Sequence, residues 1–312
     1  MGPALAAWLQ DRSARDMTRD TAARFARSWA RDTPLPALAR ALDALERPDA
    51  GQVATLVRPL LEDSEWAEAI VARLIVEASR DPFFEPPLIA LHSDVQAGLV
   101  LYAGRHAVIA LGAGALDRLA AKKQARNEGS IAFPGHFSLI RVLKGGGATL
   151  SLWEGGWRDG APRDPCVPAG RHHLTDGELI AIDGRTTSFL VDHAWADMVL
   201  LHATIFAETA PTACEYDRAT LRLTATGAAT EQASRTQMLT SLLAAFGRPD
   251  GTAFDTASRV SEPFARWHAM REWLALDADA AAARLEEMVA RDPDPELRVL
   301  ARRTLGLIPC PA

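Results

Sequence analysis

Between Leu88 and about Leu223 the chain never sustains a helical period. Its apolar residues come in short runs bounded by glycine: LIALH, GLVLYAG, HAVIALGAG, GSIAFPGHFSLIRVLKGGG, ATLSLWEGG, HHLTDGELIAID, TTSFLVD, DMVLLHATIFA and ATLRLTATG. Many short β-prone runs divided by turn residues specify a β-sandwich or a barrel. Two segments interrupt the pattern. ALDRLAAKKQARNEG is polar and is expected to hold a short helix, and GWRDGAPRDPCVPAGR, rich in Gly and Pro, is expected to be a loop.

The flanks have a different texture. Residues 1–80 carry apolar side chains at helical intervals, as in DMTRDTAARFARSWARD and TPLPALARALDALER, with Ser64 as an expected N-cap. DPFFEPPL (81–88) places three prolines where no helix can continue. After about residue 231 the helical period returns. QASRTQMLTSLLAAFGR should end at Gly247, and helices are expected over Pro263–Leu276, Asp279–Arg291 and Pro295–Leu305, the last started by Asp294-Pro295. The reading is an α+β chain in three parts: helices over 1–85, a β-barrel or jelly roll over 86–228, and helices over 229–312.

Composition limits the function classes. The chain is 48% hydrophobic and 24% charged, with net charge −6, and it has no basic block, so nucleic acid is not an expected partner. No apolar run reaches the length of about 20 residues that spans a bilayer, and no membrane association is expected. The first residues show no basic stretch followed by an apolar one, and the location expected is the cytoplasm. Arginine far outnumbers lysine, which occurs only at Lys122, Lys123 and Lys144, a bias that suggests a GC-rich bacterial genome. Cys166, Cys214 and Cys310 are widely spaced and odd in number, which argues against a disulfide framework or a structural zinc site.

The stretch GELIAIDGRTTSFLVD (177–192) resembles the second motif of the cupin superfamily, the RmlC-like double-stranded β-helix barrel. Gly177 takes the first glycine slot and ELIAI the five-residue spacer. The proline slot holds Asp183, the second glycine slot Arg185, the histidine slot Ser188 and the asparagine slot Asp192. RVLKGGG (141–147) resembles the strand and turn that close the first motif. With Gly145 in its glycine slot, the glutamate slot holds Ser138, and the histidine slots fall within Ile131–Pro134, which has no histidine. The resemblance implies the barrel over about 135 residues. It implies metal ligands at slots that this chain fills with other residues. The C-terminal pieces RWHAMREWLALD and DPDPELRVLARRTL resemble HEAT-like repeats, about one and a half of them. So short a stack should need the barrel, the N-terminal helices or a second subunit to cover Trp267, Met270, Trp273, Leu285 and Met288.

These residues lead to a non-catalytic binding or scaffold protein, with a small molecule in the barrel, a peptide or protein on the helical surfaces, or both. A homodimer is among the assemblies considered. The pocket candidates are His136, Ser138, Arg141, Ser188, His193, His202 and Tyr216. No metal and no cofactor are expected. Two enzymatic alternatives stand beside this. One is a metal-dependent cupin oxygenase or hydroxylase that uses relocated histidines, His136, His193 and His202 with His172 or His173 as a fourth. The other is a metal-free isomerase using His and Tyr. By the phase that turns Ser138 inward, Arg141 turns outward. Trp267 and Trp273 are expected to pack rather than to stack on a ligand.

Overall fold

The structure is a computed structural model that describes residues 2–92, 96–115 and 129–307. The polar segment expected to hold a short helix lies almost wholly outside these residues, as does Cys310. No helix among them is long and apolar enough to cross a membrane.

The N-terminal part is helical: α1 (Pro3–Gln10), α2 (Arg12–Asp32), α3 (Leu35–Asp43), α4 (Ala50–Glu62) and α5 (Glu65–Arg80). The start of α4 is fixed by a reciprocal cap. The Asp49 carboxylate accepts the Gln52 N–H, and the Gln52 side chain accepts the Asp49 N–H. Ser64 does stand at the N-cap position of α5, but its hydroxyl makes no capping bond, and the Asp63 carboxylate accepts the Glu65 N–H instead.

The strands are β1 (Ile89–His92), β2 (Gln96–Ala103), β3 (Ala107–Gly114), β4 (Ser130–Phe133), β5 (Phe137–Lys144), β6 (Thr149–Glu154), β7 (Trp157–Arg158), β8 (Ala161–Pro162), β9 (Val167–His173), β10 (Leu179–Asp183), β11 (Thr187–His193), β12 (Met198–Ile205), β13 (Ala213–Asp217) and β14 (Leu223–Gly227). One antiparallel sheet has the order β1-β2-β3-β12-β5-β10 and a second the order β11-β6-β9. A third, β14-β13-β4, brings β4 alongside β11. From β5 onward the chain passes repeatedly between the first two sheets, which is the winding of a jelly roll. The segment read as a loop over 156–171 carries the β7–β8 hairpin and the first part of β9. Strand β9 lies at a sheet edge, where Pro168 costs no ladder hydrogen bond.

Each central strand alternates between two cores. In β5 and β12, Leu139, Leu201, Ala203 and Ile205 join Val53, Val57 and Leu61 of α4 in one buried cluster on the outer face. Their neighbours Val142, Met198 and Leu200 join Leu150, Leu152, Ile180, Phe189 and Val191 between the sheets. The N-terminal helices and the barrel therefore share a core. Each large side chain so buried contributes about 1.5–3 kcal/mol.

The C-terminal helices are α6 (Glu231–Ala245), α7 (Gly251–Ala257), α8 (Pro263–Leu276), α9 (Ala278–Arg291) and α10 (Pro295–Leu305). Their apolar faces close on one another. Met270, Trp273, Leu285 and Met288 are buried with Phe254, Ala281, Leu297 and Ala301, and Trp267 packs against the same cluster. The expected need for an outside surface is thereby corrected. Helix α7, which the sequence reading did not foresee, supplies Phe254 and so helps to bury the layer internally. Trp273 stacks on Phe254 with ring centroids 6.1 Å apart.

A buried ion pair fastens this part. Arg266 on α8 donates to both oxygens of Asp292, at 2.8 and 3.1 Å, and to the carbonyls of Val260 and Ser261. Asp292 also accepts the Asp294 N–H at 2.9 Å, so the pair sets the turn into α10. Both side chains are almost fully buried. Asp292→Ala should cost about 3–5 kcal/mol in urea unfolding followed by tryptophan fluorescence, because it strands a buried guanidinium. A loss below about 1 kcal/mol would show that the pair does not hold these helices.

Candidate functional site

The phase of β5 and β12 selects what faces the space between the sheets. Ser138, Ile140 and Val142 point inward from β5. Leu200, His202 and Thr204 do so from β12. Phe189 and Val191 of β11 and Leu152 of β6 form the apolar wall opposite, and Ile180 of β10 stands beside Ile140 on the near sheet. These wall residues, with Leu200, His202 and Thr204, are only partly buried although they face inward. The barrel interior is thus apolar, reachable by solvent, and polar at one place.

That place is a hydrogen bond of 3.0 Å between Ser138 Oγ and His202 Nε2. Thr204 is the cross-strand partner of Ser138, and His202 is the diagonal neighbour. His136 lies next to this pair, at the start of β5, with its ring 6.2 Å from that of Phe206 and its Nδ1 buried without a hydrogen-bond partner. Its backbone is held by the β10–β11 turn, where Gly184 N–H donates to His136 O at 3.0 Å. A Cβ at residue 184 would fall 2.5 Å from that carbonyl oxygen, so only glycine permits this closure.

Burial lowers the pKa of His136. It lowers that of His202 further, to about 4, with the nearby His136 adding to the effect. Both rings are therefore neutral at pH 7, and His202 can donate or accept one hydrogen bond without carrying charge.

The remaining candidates lie elsewhere. His193 is exposed at the end of β11, beside Thr149 and 5.5 Å from the Trp195 ring, at the barrel end opposite His136. His173 Nδ1 is 2.8 Å from Thr149 Oγ, and His172 pairs with Glu178 at 2.7 Å. His136, His193 and His202 therefore do not converge. Ser188 faces away from the interior. It sits across from Trp153, and its hydroxyl donates to the Ala132 carbonyl. The inward position beside it is Phe189, so the histidine slot of the aligned motif does not open onto the barrel. Arg141 shares the outer face with Leu139, and its guanidinium donates to the Gly177 carbonyl. Tyr216 is fully buried in a separate cluster with Ile131, Phe133, Cys166 and Cys214. Its hydroxyl accepts from Gly156 N–H and donates to the Arg163 carbonyl, and burial pushes its pKa to about 12. It anchors the β13 sheet and does not reach the barrel interior. Thr204 and Phe206 are neighbours of the site that the sequence reading passed over. The alternation in DMVLLHATIFA puts them in phase with His202.

Among the described residues no three His, Cys, Asp or Glu side chains gather as metal ligands. The inward donor set offers only two imidazoles, since the neutral serine hydroxyl is a poor metal ligand, and so falls short of the three or four nitrogen and oxygen ligands of a cupin metal centre.

The β3-β12-β5-β10 sheet facing β11-β6-β9 forms a two-sheet jelly roll. No family model matches the sequence, and no curated protein matches it. The solved structures similar to the chain include cupin-superfamily proteins. Ectoine synthase from P. lautus is 13% identical with a TM-score of 0.24, over 37% of this chain and 67% of that one. A sugar phosphate isomerase of the cupin superfamily from Silicibacter pomeroyi is 14% identical with a TM-score of 0.24, over 39% of this chain and 65% of that one. A cupin domain from Bordetella pertussis is 11% identical with a TM-score of 0.23, over 38% of this chain and 99% of that one. The assignment of the barrel rests on its own strand order.

Acid should act on this site. Below the ordinary histidine pKa of 6.5 the unfolded chain takes up a proton that folded His202 refuses until about pH 4. Stability should therefore fall across that window, by roughly 3 kcal/mol from this residue. In His202→Gln, which cannot titrate, the loss between pH 7 and 4.5 should be smaller by about that amount in urea unfolding. Parallel pH profiles for the two proteins would show that His202 is not desolvated.

Proposed function

We propose that the chain is a cupin-type binding protein whose barrel takes a small molecule with an apolar body and one neutral polar group. The carrying observation is the partly solvent-accessible apolar wall, Leu152, Ile180, Phe189, Val191 and Leu200, in the same interior as the Ser138–His202 hydrogen bond. An apolar wall with a few convergent polar groups suits a ligand site. The apolar body gains by leaving water, while its hydroxyl or carbonyl exchanges hydrogen bonds with Ser138 and His202. A charged group would have to be desolvated beside neutral partners, so a neutral one fits better.

The Ser138–His202 contact also favours a second reading, metal-free acid–base catalysis. Magnitude decides against ranking it first. A base whose conjugate acid titrates near 4 is far from the operating pH at which proton transfer is efficient. Ser138 therefore gains little activation from it.

The test uses 1-naphthol, an apolar body with one hydroxyl, titrated into the full chain and followed by intrinsic fluorescence. Saturable binding should weaken at least about tenfold, or about 1.4 kcal/mol, in Ser138→Ala, and be lost when Ile180→Trp fills the wall. Equal binding by the wild type and Ile180→Trp would overturn the barrel as the site.

A further inference from the structure

A second concavity lies away from the barrel interior, where the β10–β11 turn and the loop after β12 face the N-terminal ends of α8 and α10. It encloses about 800 Å³, and its lining includes Trp157, Arg185, Glu208, Phe264 and Glu296. A shallower groove of about 410 Å³ runs on from it along α10, lined by Pro295, Glu296, Val299, Leu300 and Arg303. The two share Pro295 and Glu296 and so form one path. From Pro295 to Arg303 the helix advances roughly 12 Å at 1.5 Å per residue. With the cleft added, the path suits a chain of about six extended residues at 3.3 Å each.

Charge gives the path a direction. Arg185 is already neutralised: it donates to both oxygens of Asp183 at 2.8 Å and also lies 3.7 Å from the Glu208 carboxylate. Glu208 accepts the Ala50 N–H as well, so Glu296 is a carboxylate of the lining without a side-chain ion pair among the described residues. Glu208 and Glu296 are exposed carboxylates of the cleft lining, and Asp294 lines it too. Asp294 caps α10 by accepting the N–H groups of Glu296 and Leu297, so that helix end has no free donors there to attract an anion. Even counted in full, two helix N-termini contribute only about half a positive charge each. The three carboxylates outweigh them, and the cleft is acidic. Trp157 and Phe264 supply aromatic surface to the same lining. At the far end Arg303 is exposed and makes no ion pair among the described residues. Between the two ends Val299 and Leu300 remain exposed on α10.

We infer that this path docks an extended peptide segment of a partner protein. A basic side chain enters the cleft against Glu208 and Glu296, apolar side chains lie on Val299 and Leu300, and an acidic residue meets Arg303. The site is separate from the barrel interior, and neither Ser138 nor His202 takes part in it.

The experiment uses the full chain and two fluorescein-labelled hexapeptides of identical composition, Arg-Gly-Leu-Gly-Leu-Glu and Glu-Gly-Leu-Gly-Leu-Arg, with blocked termini. In fluorescence anisotropy the first should bind saturably and at least tenfold more tightly than the second. Exchanging the wall charges, Glu296→Lys with Arg303→Glu, should invert that order. Both positions are exposed, and an unchanged far-UV spectrum and unfolding midpoint would confirm that the variant is folded. His202→Gln should leave peptide binding unaltered, which separates this site from the barrel. Failure of both peptides to saturate, or equal binding of the two, would overturn the proposal.

Discussion

Strands β5 and β12 are buried on both faces, and the rest of the molecule is arranged around that fact. Their outward residues, Leu139, Leu201, Ala203 and Ile205, are covered by α4. A six-stranded sheet with this outer face bare would present a continuous apolar patch to water, which soluble chains avoid. The N-terminal helices are thus part of the barrel's own hydrophobic core. The same alternation leaves one residue in two to line the interior, and so fixes which side chains a ligand could meet.

That interior carries its polarity in one place. Ser138 and His202 satisfy each other, while the burial of two neighbouring imidazoles makes either positive charge expensive. The arrangement is suited to a neutral hydrogen bond and poorly suited to holding a charge. It also places acid sensitivity inside the barrel, since the fold keeps His202 neutral over a range in which a free histidine would protonate.

The C-terminal helices are held by different means. Their core is apolar, but its geometry is set by guanidinium groups. Arg266 spans from α8 to Asp292, and Arg284 donates to both the hydroxyl and the carbonyl of Ser258 at 2.8 and 2.7 Å. Such buried groups are tolerated because each guanidinium is held by several partners, and one missing partner would leave a charge stranded in the core. The turn that Asp292 organises also presents Pro295 and Glu296 to the cleft, so the ion pair indirectly shapes that surface.

The three-part organisation was legible in the sequence, because periods of 3.6 and 2 survive in the residue order itself. So was the inward phase of Ser138 and the outward phase of Arg141, which follow from counting along a single strand. The grouping of His136 with His202, and not with His193, was not legible. It depends on which end of the barrel each strand delivers, and His193 is carried to the far end by the β11–β6 register. The outward turn of Ser188 was hidden for a different reason, since a shift of one residue between motif and strand reverses every side chain. Local order in the chain determined where helices and strands form. Only the tertiary structure decided what meets in space: strand pairing and helix packing join residues far apart in sequence, and no local pattern encodes those contacts.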